Sequence, residues 1–431
     1  MKYAICTLGC KVNQFETQAM ETMLAERGLE PAEEGADLII VNTCAVTAES
    51  GRKSRQAVRR MRQHNPDAVV AVCGCFSQVS PEEVEALGAD IIYGSGHRRE
   101  LVEDAVKMVR ERGKVKKIDE PCRRRDFEPL PAGALEGRTR AYMKIEDGCE
   151  NFCSYCIIPF ARGRVLSMPL ESVREQAKSL QAKGFREIIV TGIEIASYGK
   201  DLKNGTGLAD AVCAIADSAP QTRIRLGSLE PTVVTESFCA ELSRRGNMCR
   251  HFHLSLQSGC DKTLKSMRRK YDTARFYESV RLLRRYFPGC GLTADLITGF
   301  PGETDADHAE TLAFIRKCGF SAMHVFPYSV RPGTKAAAMP EQLTHAVKDA
   351  RAHEAQRAAD EMQQAFLESC VGKTLSVLFE TQGADGLWHG HADNYCETAA
   401  EGDAMHSVVR TVKIGHVSGK ILIGKIVDLA D

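Results

Sequence analysis

The residues best suited to chemistry lie in "GCENFCSYC" (148–156), where Cys149, Cys153 and Cys156 follow a Cys-x3-Cys-x2-Cys spacing. Three soft thiolates in one short loop favour metal or redox work. A closed zinc site needs four ligands, and no Cys or His follows Cys156 within thirty residues. A thioredoxin-like dithiol uses Cys153 and Cys156 but leaves Cys149 idle. Chance clustering of structural cysteines is the other alternative. The reading that employs all three sulfurs is a [4Fe–4S] cluster with one iron left open. A cofactor bearing an amine and a carboxylate suits that iron, and S-adenosylmethionine is the radical-generating case.

Three further cysteines gain interest from position alone. "TLGCKVNQFE", "VNTCAVT" and "CGCFSQ" set Cys10, Cys44 and Cys75 each at a strand-to-loop transition. In an open α/β sheet, ligands collect at the C-terminal strand ends. Such a placement can gather three thiolates at one sheet edge, although scattered cysteines are usually core residues. Cys73 stands two residues before Cys75, and strand alternation puts both on one face, so either is a candidate third ligand.

The elements that must position these groups follow from periodicity. "KYAICTL", "ADLIIVNTC", "AVVAVCGC" and "ADIIYG" read as buried parallel strands, and Phe15, Met20, Met23 and Leu24 have helical spacing ending near Gly28. A charged, Pro-containing stretch then reads as a linker. Six more strands, "AYMKIEDG", "EIIVTGIE", "RIRLGSLE", "HFHLSLQSG", "LTADLITGF" and "AMHVFPYS", are spaced for helical crossovers and predict an open βα barrel. One long helix or a broken pair follows over about 340–368. Beyond it, alternation at Leu375, Val377 and Phe379 predicts a small antiparallel β-barrel. The fold class is therefore α/β in three domains: 1–115, a linker 116–138, 139–367 and 368–431.

With 431 residues the chain exceeds a single typical core. No apolar run is long enough for a membrane helix, and "MKYAICTLGC" lacks the length and cleavage pattern of a secretory signal. A cytoplasmic location is expected, so the seventeen cysteines do not read as a disulfide framework. Net charge is zero, which excludes a globally basic nucleic-acid coat. Local basic runs supply candidate phosphate contacts: Arg52, Arg55, Arg59 and Arg62 near one helical face, and Arg268, Arg269 and Lys270 after the fourth barrel strand. Solvated helix faces are the alternative for each run. The tail is slightly acidic, so Trp388, Tyr395 and His389 are candidates for stacking on bases.

The cysteine loop and the six strands resemble the radical S-adenosylmethionine superfamily. That resemblance implies a cofactor site at Tyr155, "VTGIEIASYG", "GSLEP", "HLSLQSG" and "ADLITGFPGET", with Gly192, Glu194, Ser228, Glu230, Gln257, Asp295 and Gly299 as its residues. Any one of these polar strand-end groups is equally a turn or cap residue. The whole chain, in order, resembles the methylthiotransferases. The family implies an auxiliary [4Fe–4S] cluster on Cys10, Cys44 and Cys75, and Cys75 is preferred to Cys73 because "GCFSQ" matches its pattern. The tail resembles that family's small RNA-binding TRAM barrel.

"TLGCKVNQFE", "VNTCAVT" and "VFPYSVRPGT" look most like the threonylcarbamoyladenosine tRNA enzymes. The resemblance implies methylthiolation of adenine C2 beside the anticodon. It also implies that one S-adenosylmethionine methylates sulfur at the auxiliary cluster and that a second yields the radical that starts reaction. Implied partners are a tRNA anticodon stem-loop and a flavodoxin-type electron donor, with a monomeric enzyme and no membrane. Three alternatives stand beside it. The substrate could be isopentenyladenosine in tRNA or a ribosomal-protein aspartate, or the chain could be a non-catalytic iron–sulfur RNA-binding protein.

Overall fold

The computed structural model describes residues 1–132 and 139–427. The last six positions of the expected linker and the final four of the tail lie outside the described residues. Lys2–Thr7, Leu38–Thr43, Val69–Gly74, Ile91–Tyr93 and Val115–Lys117 form a parallel sheet, with Glu30–Pro31 at the opposite edge. Every residue of the two central strands, "LIIVNT" and "VVAVCG", is buried, as continuous apolar runs require when both sheet faces are covered. Helix Lys11–Ala25 buries Phe15, Met20, Met23 and Leu24 against one face, and Gly28 (φ +76°) follows its end.

The sheet reaches past the boundary read at 115. Val115–Lys117 is an edge strand paired with Ile91–Tyr93, and its lysines suit an edge that faces water. The segment after it is bound down as well, because Arg124 forms a two-pronged ion pair with Asp119 and donates to Ser95 Oγ.

The second domain has the six expected parallel strands: Arg140–Lys144, Glu187–Thr191, Arg223–Leu229 (interrupted at Gly227), His251–Gln257, Gly291–Thr298 and Ala322–Pro327. They form a three-stranded and a four-stranded sheet that meet at Gly227. A side chain there would fall 2.9 Å from the Val190 carbonyl oxygen, so glycine permits the strand to change partners. The region read as one helix or two holds a single helix, His345–Cys370, which starts about five residues later than expected, after the Thr344 cap. No helix among the described residues is long and apolar enough to cross a membrane.

Thr374–Gln382, Trp388–Ala392, Glu397–Ala400, Val408–Ser418 and Ile421–Ile426 close into a barrel. Its neighbours are antiparallel except for Glu397–Ala400 against Ile421–Ile426. Five is odd, and a closed ring of five strands cannot alternate direction throughout. This barrel docks through arginines on the central domain. Arg140 forms a forked pair with Glu380, Arg223 and Arg225 donate to the Ser376, Ala392 and Asp393 carbonyls, and Arg250 pairs with Asp393 at 2.6 Å.

Candidate active site between the three domains

A cavity of about 780 Å3 runs down the inside of the open barrel and is walled by all three domains. The first domain contributes Cys10, Lys11 and Val12, and the cysteine loop contributes Cys149, Cys153, Tyr155 and Cys156. Strand ends supply Gly192, Glu194 and Ser228, strand interiors supply His253 and Asp295, and Tyr395 comes from the C-terminal barrel. The C-terminal edge of the first sheet therefore faces the mouth of the second domain.

Glycines fix the cysteine-bearing turns. Gly9 has φ +106°, and a Cβ there would sit 2.8 Å from Cys44 Cβ and 3.0 Å from its sulfur. Only glycine lets the Cys10 loop lie against Cys44. Gly74 (φ +104°) ends its strand, and Cys75 begins a short helix. The turn sends Cys73 and Cys75 to different sides of the sheet. Cys73 packs with Phe15, Met20 and Leu101, whereas Cys75 packs with Val41, Phe76, Ile157 and Ala161. Strand alternation put both on one face, but it stops applying at a left-handed glycine. Cys75 interacts electrostatically with Cys10 and Cys44; among the groups acting on Cys73 there is no cysteine.

The second loop is braced by the 266–270 turn, where Ser154 N donates to the Met267 carbonyl and Ser154 Oγ to that of Ser266. Burial pushes the Cys156 thiol up to about 12 and that of Cys75 to about 11. Thiolates at these positions need a cationic partner. Each cysteine set has a guanidinium on one sulfur. Arg162 Nε lies 3.3 Å from Cys75 Sγ, and Arg269 Nη1 lies 3.1 Å from Cys153 Sγ. Among the described residues no three His, Cys, Asp or Glu side chains are grouped to hold a single metal ion. A cubane, which meets its thiolates at separate irons, needs wider spacing than one ion does. Its demand for soft, charge-compensated sulfurs fits both sets.

Arg162 is fully buried and ties the loops together. It pairs with Glu16, donates to Asn13 Oδ1 at 2.8 Å and reaches Asp147 at 3.2 Å. Glu16 is also paired with Arg98 at 3.0 Å and with Lys144 at 3.5 Å, and these cations hold its carboxyl well below the usual range despite burial. Glu146 has the opposite environment: burial pushes its carboxyl well up, and its Oε2 accepts from Glu194 N at 2.7 Å. A Cβ on Gly192 would lie 2.7 Å from that oxygen. Burial, and then the charge of Glu230, raises the Glu194 carboxyl to about 7.

Of the residues expected around the cofactor, Tyr155, Gly192, Glu194, Ser228 and Asp295 line the cavity, and Glu230, Gln257 and Gly299 do not. Gly299 packs on the long helix, where a Cβ would meet Lys348 Cγ at 2.5 Å. Gln257 ends its strand at φ +67°.

The basic candidates divide by what holds them. Arg269 serves the cysteine loop and stacks on Tyr271 (4.9 Å), so it is not a surface phosphate contact. Arg62 is bound to the Ala68 and Gly88 carbonyls and to Asp90. Arg52 and Arg55 pair with Glu49 and Glu83, and Lys270 donates to Asn151. Arg59 and Arg268 are exposed. Trp388 packs against the core of the C-terminal barrel. Tyr395 is stacked on His251 at 4.4 Å with Arg225 over its ring at 4.8 Å, and His389 pairs with Asp385. Tyr395 therefore already spends its ring on the protein.

Lys11, Asn13, Glu16, Glu146 and Arg162 are site residues that motif and spacing do not single out. A signal existed for Glu16, a charged residue on the apolar face of its helix, beside Phe15 and one turn before Met20. Arg162, six residues after the last cysteine of its loop, carries none.

Residues 143–315 match the model of the Radical SAM superfamily, and 2–94 match Uncharacterized protein family UPF0004. The chain is 37% identical to the threonylcarbamoyladenosine tRNA methylthiotransferase MtaB of Bacillus subtilis, over 95% of this chain and 93% of that protein. It is 36% identical to the protein of the same name from Thermotoga maritima, over 93% and 92%. A tRNA-2-methylthio-N(6)-dimethylallyladenosine synthase of Moorella thermoacetica is 35% identical, over 88% and 87%. In fold, the chain is similar to the radical S-adenosylmethionine methyltransferase TsrM of Kitasatospora setae (TM-score 0.58, 19% identity, 78% and 75% covered). With cysteines from both sets beside one cavity and this similarity along nearly its whole length, the chain belongs to the radical S-adenosylmethionine methylthiotransferases that modify tRNA.

Proposed function

We propose that this enzyme adds a methylthio group to C2 of N6-threonylcarbamoyladenosine at position 37 of tRNA, next to the anticodon, with two [4Fe–4S] clusters. Cys149, Cys153 and Cys156 would hold one cluster, and Cys10, Cys44 and Cys75 the other. The observation that carries the reading is the shared cavity, into which Cys10 and the 149–156 loop both open. When bound, the clusters and S-adenosylmethionine supply the radical and the sulfur chemistry that an unactivated aromatic C–H bond requires.

The chain's own residues bind and orient. Gly192 lets backbone approach closely, with Glu146 fixing the Glu194 backbone behind it. Glu194, with Asn151 Nδ2 3.4 Å from its carboxylate, offers a negative group for a cofactor ammonium. Asp295, paired with His253 at 3.2 Å, presents a second acceptor from the opposite wall. Arg162 and Arg269 hold the sulfurs in register and lower the cost of negative charge there. Tyr395, stacked on His251, lines the end of the cavity that the C-terminal barrel supplies.

Arg59 and Arg268 are left as phosphate contacts, so tRNA binding would weaken with added salt. A flavodoxin-type reductant, a monomeric state and a cytoplasmic location belong to the same proposal. A second reading, isopentenyladenosine as substrate, is favoured by the Moorella thermoacetica relative. Anaerobic enzyme given reductant, S-adenosylmethionine and tRNA bearing no N6 group, isopentenyl or threonylcarbamoyl tests both. Methylthiolation of the threonylcarbamoyl form is expected; reaction confined to the isopentenyl form would refute the assignment.

A further inference from the structure

Lys11 follows the cluster cysteine Cys10, begins helix Lys11–Ala25 and lines the cavity. Other cations in or near the cavity have partners. Arg269 is on Cys153, Lys420 is 2.9 Å from Asp360, Arg140 is on Glu380, and Arg225 is on Glu187 at 2.7 Å. The carboxylates that act on Lys11 are also taken, Glu187 by two arginines and Asp295 by His253. Lys11 has no hydrogen-bond or ion-pair partner among the described residues. An ammonium whose neighbouring carboxylates are already paired is a poor resting arrangement. It becomes a favourable one when an anion enters.

We infer that Lys11 is the residue that recognises a carboxylate of the bound substrate, namely the free carboxylate of the threonyl group on N6. This rests on the substrate reading above. A threonylcarbamoyl group joins N6 through the threonine nitrogen and so keeps its carboxylate, whereas an isopentenyl group is uncharged. Against the apolar group Lys11 would stay buried and unpaired, so one residue both attracts one substrate and penalises the other. The methionyl end of S-adenosylmethionine is a second source of a carboxylate in the same cavity.

The test uses anaerobic holoenzyme and two anticodon stem-loops, one with the threonylcarbamoyl carboxylate and one with the matching carboxamide. Equilibrium binding is measured without reductant, with and without S-adenosylmethionine. Native enzyme is expected to prefer the carboxylate by about 10- to 100-fold, the size of one charge-assisted hydrogen bond. Lys11→Met should remove that preference by weakening only the carboxylate stem-loop, and Lys11→Arg should restore most of it. Iron content of each variant reports whether the Cys10 site survives the change. Retention of the preference in Lys11→Met, or its absence in native enzyme, overturns the inference. Equal weakening of both stem-loops, seen only with S-adenosylmethionine present, also overturns it and assigns Lys11 to the cofactor. Failure of native enzyme to methylthiolate threonylcarbamoylated tRNA instead refutes the substrate reading, and the two failures are distinguishable.

Discussion

Arg162 Nε lies 3.3 Å from Cys75 Sγ, although the two residues belong to different domains and are 87 positions apart. The same guanidinium is bound to Glu16, Asn13 and Asp147, so one buried side chain connects both cysteine sets to the interface between domains.

Arg162→Met should therefore be among the most damaging changes outside the cysteines. Glu16 keeps Arg98 and Lys144, but it loses its closest partner at a fully buried position. A loss of roughly 3 kcal/mol is expected for breaking a buried ion-pair network. Anaerobic denaturant titration measures it, and iron analysis should show loss from the Cys75 site. A stable, fully loaded variant would refute the role given to Arg162.

Iron content separates Cys73 from Cys75. Holoenzyme with two cubanes carries about eight irons, and Cys75→Ala should fall to about four. Cys73→Ala should keep all of them, because that thiol packs in the hydrophobic core beside Phe15. Loss of iron in the Cys73 variant would reverse the assignment.

Gly74→Ala tests the turn that parts those two cysteines. Its Cβ would lie 2.4 Å from Thr43 O and 2.7 Å from Thr43 N, both backbone atoms, at φ +104°. A cost of at least ~2 kcal/mol is expected, together with weaker iron retention at Cys75. Wild-type stability and iron would show that the turn is not needed.

Docking of the C-terminal barrel should depend on acid. Arg140, His391 and Thr139 hold the Glu380 carboxyl down at about 2, against burial, from an ordinary value of 4.5. The folded value is depressed, so the contribution is fully present above about 4.5 and is lost as pH falls towards 2. Glu380→Gln should be less stable above pH 5 by on the order of 3 kcal/mol, and the gap should close in acid. Trp388, the single tryptophan, sits in this barrel and provides a fluorescence signal for its unfolding. A gap independent of pH would contradict the assignment.

Much of the site is visible in the chain itself because its signals are local. Thiol spacing in 149–156, apolar runs such as "LIIVNT" and polar strand ends such as Glu194 are written within a few residues. Those signals are enough for three domains, six barrel strands and a three-thiolate loop, since burial periodicity and ligand spacing act over short stretches. Tertiary structure alone decided which buried charges meet. The pairing of Arg162 with Glu16 joins residues 146 positions apart, and Lys11 has no partner among the described residues while Glu187 and Asp295 are occupied by other elements. It also decided that Cys73 and Cys75 part company, through one left-handed glycine that breaks strand alternation. Electrostatics and packing in a buried site depend on distance through space, and no spacing along the sequence encodes that distance.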